Sequence, residues 1–157
     1  MFHVVLVAPQ IAGNTGAIIR LCANAGAQLH LIEPLGFHFE AAALRRAGLD
    51  YHDLVDTTVW PTIAACQGAL GNLQRWFAAS GRGATRYDTV DFAVGDVLVF
   101  GCESDGLSAE VLAAFAPTHR IAIPMWPENR SINLANAVSI VMFEAWRQLG
   151  FPGSTNP

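Results

Sequence analysis

Three features of the sequence predict an α/β protein in which a parallel sheet is flanked by helices within a single domain. Short apolar runs, His3 to Ala8 and Val97 to Phe100 among them, have the length and composition of buried strands. Stretches with helical spacing of apolar residues separate these runs, and strands alternating with helices imply a parallel sheet. The 157 residues match one hydrophobic core, and no repeat, low-complexity segment or linker divides them. Residues 1–157 therefore read as one domain, with about 151–157 as a polar tail.

The elements follow in order. His3 to Ala8 is the first strand, and Pro9 ends it. Asn14 is a plausible cap for a helix whose apolar side carries Ile18, Ile19, Leu21, Cys22 and Ala25, and Gly26 stops it. Gln28 to Ile32 is the second strand, closed by Pro34 and Gly36. Glu40 to Ala47 reads as a short helix ended by Gly48, and Leu54 to Val59 as a minor strand. Pro61 opens a further helix at its favoured first-turn position, running to about Leu70. Trp76 to Ala79 is a strand that leads into Ser80-Gly81-Arg82-Gly83. Val97 to Phe100 is the clearest buried strand, broken by Gly101. Ser108 to Phe115 is a helix, Arg120 to Ile123 a strand and Pro124 to Ser131 a loop. An amphipathic helix then runs from about Asn133 to Leu149 and ends at Gly150.

Composition narrows the function classes. Hydrophobic residues make up 52% and charged residues 14%, which excludes a disordered chain. That much apolar surface exceeds what one small core needs and points to a buried partner interface. No run of 18 uncharged apolar residues is present, so no membrane span is expected. Met1 to Val4 lacks the basic start of a secretory signal, and the expected compartment is the cytoplasm. The net charge is −4 and all nine basic residues are arginine. An acidic balance argues against non-specific coating of nucleic acid, and no DNA partner is expected, but a local arginine patch could still read one folded RNA. Cys22, Cys66 and Cys102 form no CxxC pair, and the five histidines show no HxxxH or HExxH spacing. No metal is expected.

In open parallel sheets ligands bind beyond the carboxyl ends of strands. Three loops there have unusual composition: Ser80 to Gly83, Gly101 to Leu107, and Pro124 to Leu134. None carries GxxxxGK[ST], and no GxGxxG opens the first helix, so a phosphate cradle is poorly supported. The ligand expected there is gripped by backbone rather than by a charged clamp. Each candidate also has a plainer reading. Asn14 could be only a helix cap. Arg20 lies about 9 Å further along the helix and could be a paired structural residue. Glu103 could merely receive backbone hydrogen bonds or an arginine. Asn133 and Asn136 stand at the start of the last helix, one of them as a cap. Cys102 reads as a small buried filler, Trp126 and Trp146 as core or interface side chains, and the histidines as structural or solvent-facing.

Together these loops resemble a known set. Pro9-Gln10-Ile11-Ala12-Gly13-Asn14-Thr15-Gly16-Ala17-Ile18-Ile19-Arg20-Leu21-Cys22-Ala23-Asn24 resembles the first motif of SPOUT-superfamily RNA 2′-O-methyltransferases. Gly101 to Leu107 resembles the second motif, and Ile123-Pro124-Met125 through Arg130-Ser131-Ile132-Asn133-Leu134-Ala135-Asn136 to Ser139 the third. Leu44 to His52 and Glu144 to Gly150 look like the small bacterial enzymes that methylate the wobble nucleotide of tRNA. The likeness covers nearly the whole chain, with its three motifs in order.

The resemblance implies a trefoil knot near the C-terminus, a homodimer, and S-adenosyl-L-methionine as methyl donor. The reaction implied is transfer of methyl to the ribose 2′-hydroxyl of nucleotide 34, cytidine or modified uridine, in the tRNA anticodon loop. It gives Arg20 and Asn14 catalytic roles. Ala79, Gly101, Ile123 and Ser131 are expected to contact the cofactor, with Glu103, Met125, Ile132 and Leu134 nearby. Arg82, Arg86, Arg130 and Arg147 are candidates for RNA contacts, and the last helix, with Ala137, Ile140, Val141 and Phe143 to Trp146, is a candidate dimer surface. Cys102, Asp105 and Ala135 depart from the common motif residues. The rival readings are a methyltransferase of the same superfamily acting on ribosomal RNA or another tRNA position, and a non-catalytic RNA- or cofactor-binding module.

Overall fold

The computed structural model describes residues 1–38, 57–71, 74–129 and 131–155. The helix expected at Glu40 to Ala47, the Leu44 to His52 stretch and Arg130 lie outside them, as does the first part of the Leu54 to Val59 strand. Among the described residues the strands are β1 (His3–Val7), β2 (Gln28–Ile32), β3 (Thr57–Trp60), β4 (Trp76–Ala79), β5 (Thr85–Arg86), β6 (Val97–Phe100) and β7 (Arg120–Ala122). The helices are α1 (Ala12–Ala25), α2 (Ile63–Leu70), α3 (Ala109–Ala113) and α4 (Leu134–Gln148). The seven strands make one sheet, ordered β3-β2-β1-β6-β4-β7-β5, and every pairing is parallel.

Both faces are covered, as a parallel sheet requires. Val4, Leu6, Leu29, Leu31, Leu98 and Ile121 point to one face and pack with Ile18, Ile19 and Cys22 of α1 and Val138, Val141, Met142 and Ala145 of α4. Val5, Ile32, Ala78, Val97 and Val99 alternate to the other face and meet Cys66 of α2, Leu107 and Phe115. Full burial of each such Leu, Ile or Val contributes roughly 1.5–3 kcal/mol. Val141 and Ala145 are thus committed to the chain's own core, which removes them from the expected dimer surface. At the opposite sheet end, Asp96 is buried and accepts two hydrogen bonds from the Arg75 guanidinium, at 2.9 and 2.6 Å, and a third from the Ala93 amide.

Several boundaries differ from expectation. Helix α1 begins two residues before Asn14, with Ile11 at the cap position and no side-chain cap, so Asn14 is not a cap but a first-turn residue. Gly26 ends α1 in the left-handed conformation, φ 63°, that favours glycine. Thr62, rather than Pro61, sets the start of α2, its hydroxyl accepting from the Ala65 amide at 3.1 Å. Ser108 caps α3 and Asn133 caps α4 in the same way. β5 is only two residues long and carries no pattern that a sequence reading can detect.

The placement of β7 is unusual. It lies between β4 and β5, although residues 80–84 alone connect those two strands. That connection passes directly over β7: the Ser80 amide donates to the Ile121 carbonyl at 2.9 Å, and a Cβ on Gly83 would stand 2.5 Å from the Ile121 carbonyl carbon. Only glycine allows such an approach. General rules for sheet connections exclude crossings of this kind, which is why periodicity could not reveal it.

Candidate functional site

The sheet order brings the carboxyl ends of β1, β6, β4 and β7 side by side, and their loops meet around one cavity of about 590 Å³. That volume is ordinary for a small-molecule site. Every residue expected to contact a cofactor lies in its wall: Ala79, Gly101, Glu103, Ile123, Met125, Ser131, Ile132 and Leu134. Asn14 lines it too. Arg20 does not; it is exposed on α1 in a row with Gly13, Ala17 and Asn24, all of which face outward.

Three side chains tie the loops together. The Glu103 carboxylate accepts from the Gln10 amide at 2.7 Å, from the Ile11 amide at 3.1 Å and from Asn14 Nδ2 at 3.0 Å. These amides belong to the start of α1, whose first donors lack partners within the helix. Asn14 Oδ1 in turn accepts from Asn133 Nδ2 at 3.0 Å, while Asn133 Oδ1 caps α4 through the Asn136 amide at 3.3 Å. Glu103 thus receives two backbone hydrogen bonds and one from the Asn14 amide. Partial burial alone would raise its carboxyl pKa, but the bonds from Asn14, Gln10 and Ile11 outweigh that and hold it below the ordinary value.

The 101–107 loop folds tightly on itself. A Cβ on Gly101 would stand 2.0 Å from the Gly106 carbonyl carbon and 2.2 Å from the Leu107 nitrogen. Gly106, at φ 70°, makes the turn. Cys102 is half-buried in the cavity wall with its Sγ 3.6 Å from Ser104 Oγ, so it is not the fully buried filler expected. The Ser104 hydroxyl donates to Asp105 at 2.6 Å.

Leu107, Ala109, Leu112 and Ala137, none of them an expected cofactor contact, also line the cavity. Helix α3 is too short for its spacing to betray a cavity-facing side. Arg82, expected to touch RNA, is exposed and lines the cavity. Arg86 and Arg147, expected to do likewise, are paired with Asp88 and Glu144. Trp146 packs edge-on against Phe143 and Phe151. Trp126 departs from the core reading, being 83% exposed. Among the described residues, no group of three or more His, Cys, Asp or Glu could hold a metal ion.

The parallel sheet thus gathers three strand-end loops, with Gly81, Gly101 and Gly106 among their residues, around one cavity of small-ligand size. The chain belongs to the SpoU rRNA Methylase family, whose profile matches residues 1–143. It is 52% identical, over 98% of this chain and 99% of the relative, to a tRNA (cytidine(34)-2′-O)-methyltransferase from Burkholderia cenocepacia. A solved structure described as giving insights into the 2-OH methylation of C/U34 on tRNA superposes with a TM-score of 0.88 at 45% identity, covering 96% of this chain and 97% of the other. An AdoMet-bound rRNA methyltransferase from Sinorhizobium meliloti matches with a TM-score of 0.80 at 29% identity, over 94% of this chain and 56% of that one.

Proposed function

We propose that the protein transfers a methyl group from S-adenosyl-L-methionine to the ribose 2′-hydroxyl of nucleotide 34, cytidine or modified uridine, in the tRNA anticodon loop. The observation that carries this reading is the bracing of three loops by Asn14, Glu103 and Asn133 around one cavity. The likeness to enzymes named for that reaction supports it.

The cavity fits the donor. Gly101 brings backbone close, and Ala79, Phe100, Ile123, Ile132 and Leu134 supply apolar wall without a phosphate cradle. When bound, S-adenosylmethionine supplies a methyl made electrophilic by its sulfonium. Alignment of the two reactants in such a cavity is worth on the order of 7–11 kcal/mol. Glu103 and Asn14 hold the entry to α1 in place and so act as positioning residues.

Arg20 is assigned to the ribose hydroxyl. Arg20 favours the developing alkoxide electrostatically, and the hydroxyl proton leaves to solvent water as the oxygen takes up the methyl. Because Arg20 is exposed and outside its own cavity wall, it serves the cavity of a second copy packed on the Gly13, Ala17 and Asn24 row of α1. The working unit is then a cytoplasmic homodimer. Passage of residues 80–84 over β7 supports a trefoil knot in the C-terminal half.

Mixing two inactive variants tests the shared site. Arg20→Ala retains its cavity and Glu103→Ala retains its Arg20, so co-refolded heterodimers should recover methyl transfer. No recovery in confirmed heterodimers would place Arg20 at its own subunit's site, and a fully active monomer would remove the dimer from the reaction.

A further inference from the structure

The geometry points to Trp126 as a stacking platform for an unpaired base of the RNA next to the nucleotide being methylated. This rests on the reading of the site as an RNA ribose methyltransferase. Among the described residues Trp126 is the most exposed of the large apolar side chains, at 83%. Its neighbour Met125 lines the cavity, and so does Asn129, whose amide donates to the Trp126 carbonyl at 3.2 Å and closes the turn between them. The indole therefore stands on the rim, outside the cavity wall but one residue from it. Pro124 and Pro127 flank it and fix φ on both sides, so little backbone freedom is lost when a ligand settles on the ring.

The surroundings favour a base over a protein. Pro124, Pro127, Glu128 and Asn129 are all exposed, so Trp126 is the one aromatic of a short exposed turn that also presents a carboxylate and an amide. A stable protein interface buries about 800 Å² per partner, far more than one indole offers. A nucleobase needs only the face of one ring. A cation shares this rim: Gly81 lies against Met125, with 3.5 Å between its added Cβ position and Met125 Cε, and Arg82 follows it, exposed at the cavity. An aromatic platform beside an arginine is the usual equipment for holding single-stranded RNA, with stacking on the base and charge on the phosphate.

The test measures binding and methylation of an RNA anticodon stem-loop by wild type, Trp126→Ala and Trp126→Phe. We expect Trp126→Ala to weaken stem-loop binding and raise KM for RNA by about 5- to 150-fold, the range for loss of one stacked base. Trp126→Phe should restore most of the loss. Affinity for S-adenosylmethionine and sedimentation should stay at wild-type values. Unchanged stem-loop binding in Trp126→Ala would overturn the inference, as would a parallel loss of cofactor affinity or a change in oligomeric state. If wild type binds the stem-loop but does not methylate it, the reaction proposed above fails, while the binding comparison still decides the role of Trp126. If wild type does not bind it, both fail.

Discussion

Asn14 and Glu103 stand 89 positions apart in the chain and meet at 3.0 Å, Nδ2 of the amide donating to Oε1 of the carboxylate. The same asparagine accepts from Asn133 through its other amide atom, so one side chain joins loops from β1, β6 and β7. Neither an aspartate nor a leucine can do both: one lacks the donor, the other lacks both groups. The residue is therefore set by two simultaneous hydrogen bonds.

Replacing Glu103 by Gln puts an NH₂ against a donor, because both carboxylate oxygens accept from main-chain amides. The expected cost is about 1–3 kcal/mol of stability, together with at least a tenfold weaker grip on S-adenosylmethionine. Chemical denaturation and calorimetry measure these. The Glu103 carboxyl is held below its ordinary value, so its contribution is fully present above the unfolded value and is lost as pH falls through the folded one. Glu103→Gln should abolish that acid-side loss.

A second pH effect has the same direction but arises elsewhere. The Trp60 indole N–H donates to His30 Nδ1 at 3.1 Å, which puts the His30 proton on Nε2, facing His3 Nδ1 at 3.1 Å. Burial first, and then His3, lowers the His30 pKa to about 4; His3 itself is lowered by burial and by the N-terminal charge. The folded protein keeps His30 neutral, so stability is full above the unfolded value of about 6.5 and falls as pH drops from there towards 4, by an amount on the order of 3 kcal/mol. His30→Gln should flatten this part of the profile, as urea midpoints at pH 5 and pH 7.5 will show.

The glycines make a graded prediction. Gly101→Ala and Gly83→Ala push a methyl into backbone at 2.0 and 2.5 Å, so each should abolish cofactor binding or folding. Gly81→Ala meets only Met125 Cε at 3.5 Å, an ordinary contact with a flexible side chain, and should stay within about 1 kcal/mol of wild type. Thermal melts with and without S-adenosylmethionine separate the three.

The sequence resolved what local chemistry controls. β2, β4 and β6 have the bounds expected from their apolar runs, because a short buried strand shows its length directly. The end of α1 at Gly26 was legible for the same reason. Asn14 was misplaced because asparagine is chemically suited to capping and its true partners, Glu103 and Asn133, are remote in sequence. The crossing of β7 by residues 80–84 depends on a contact between Gly83 and Ile121, and no periodicity records such a pair. Of the core and interface readings of Trp126 the structure removes the first, because its position on a proline-containing turn holds it outside the core. The cavity wall was legible through motif resemblance, since sheet order alone brings its loops together.

Arg20→Lys keeps the charge but loses the planar fork of the guanidinium. It should retain most RNA binding and lose at least tenfold in kcat, read by single-turnover methylation at saturating RNA. Near-normal turnover would take Arg20 out of the chemistry.

The reaction itself is tested most directly by incubating the protein with radiolabelled S-adenosylmethionine and tRNA that lacks wobble ribose methylation, then mapping the labelled nucleoside. Label on the 2′-oxygen of nucleotide 34, absent in Glu103→Ala, is the expected result. Label at another nucleotide would contradict the substrate, and no label from protein that binds the cofactor and intact tRNA would contradict the activity.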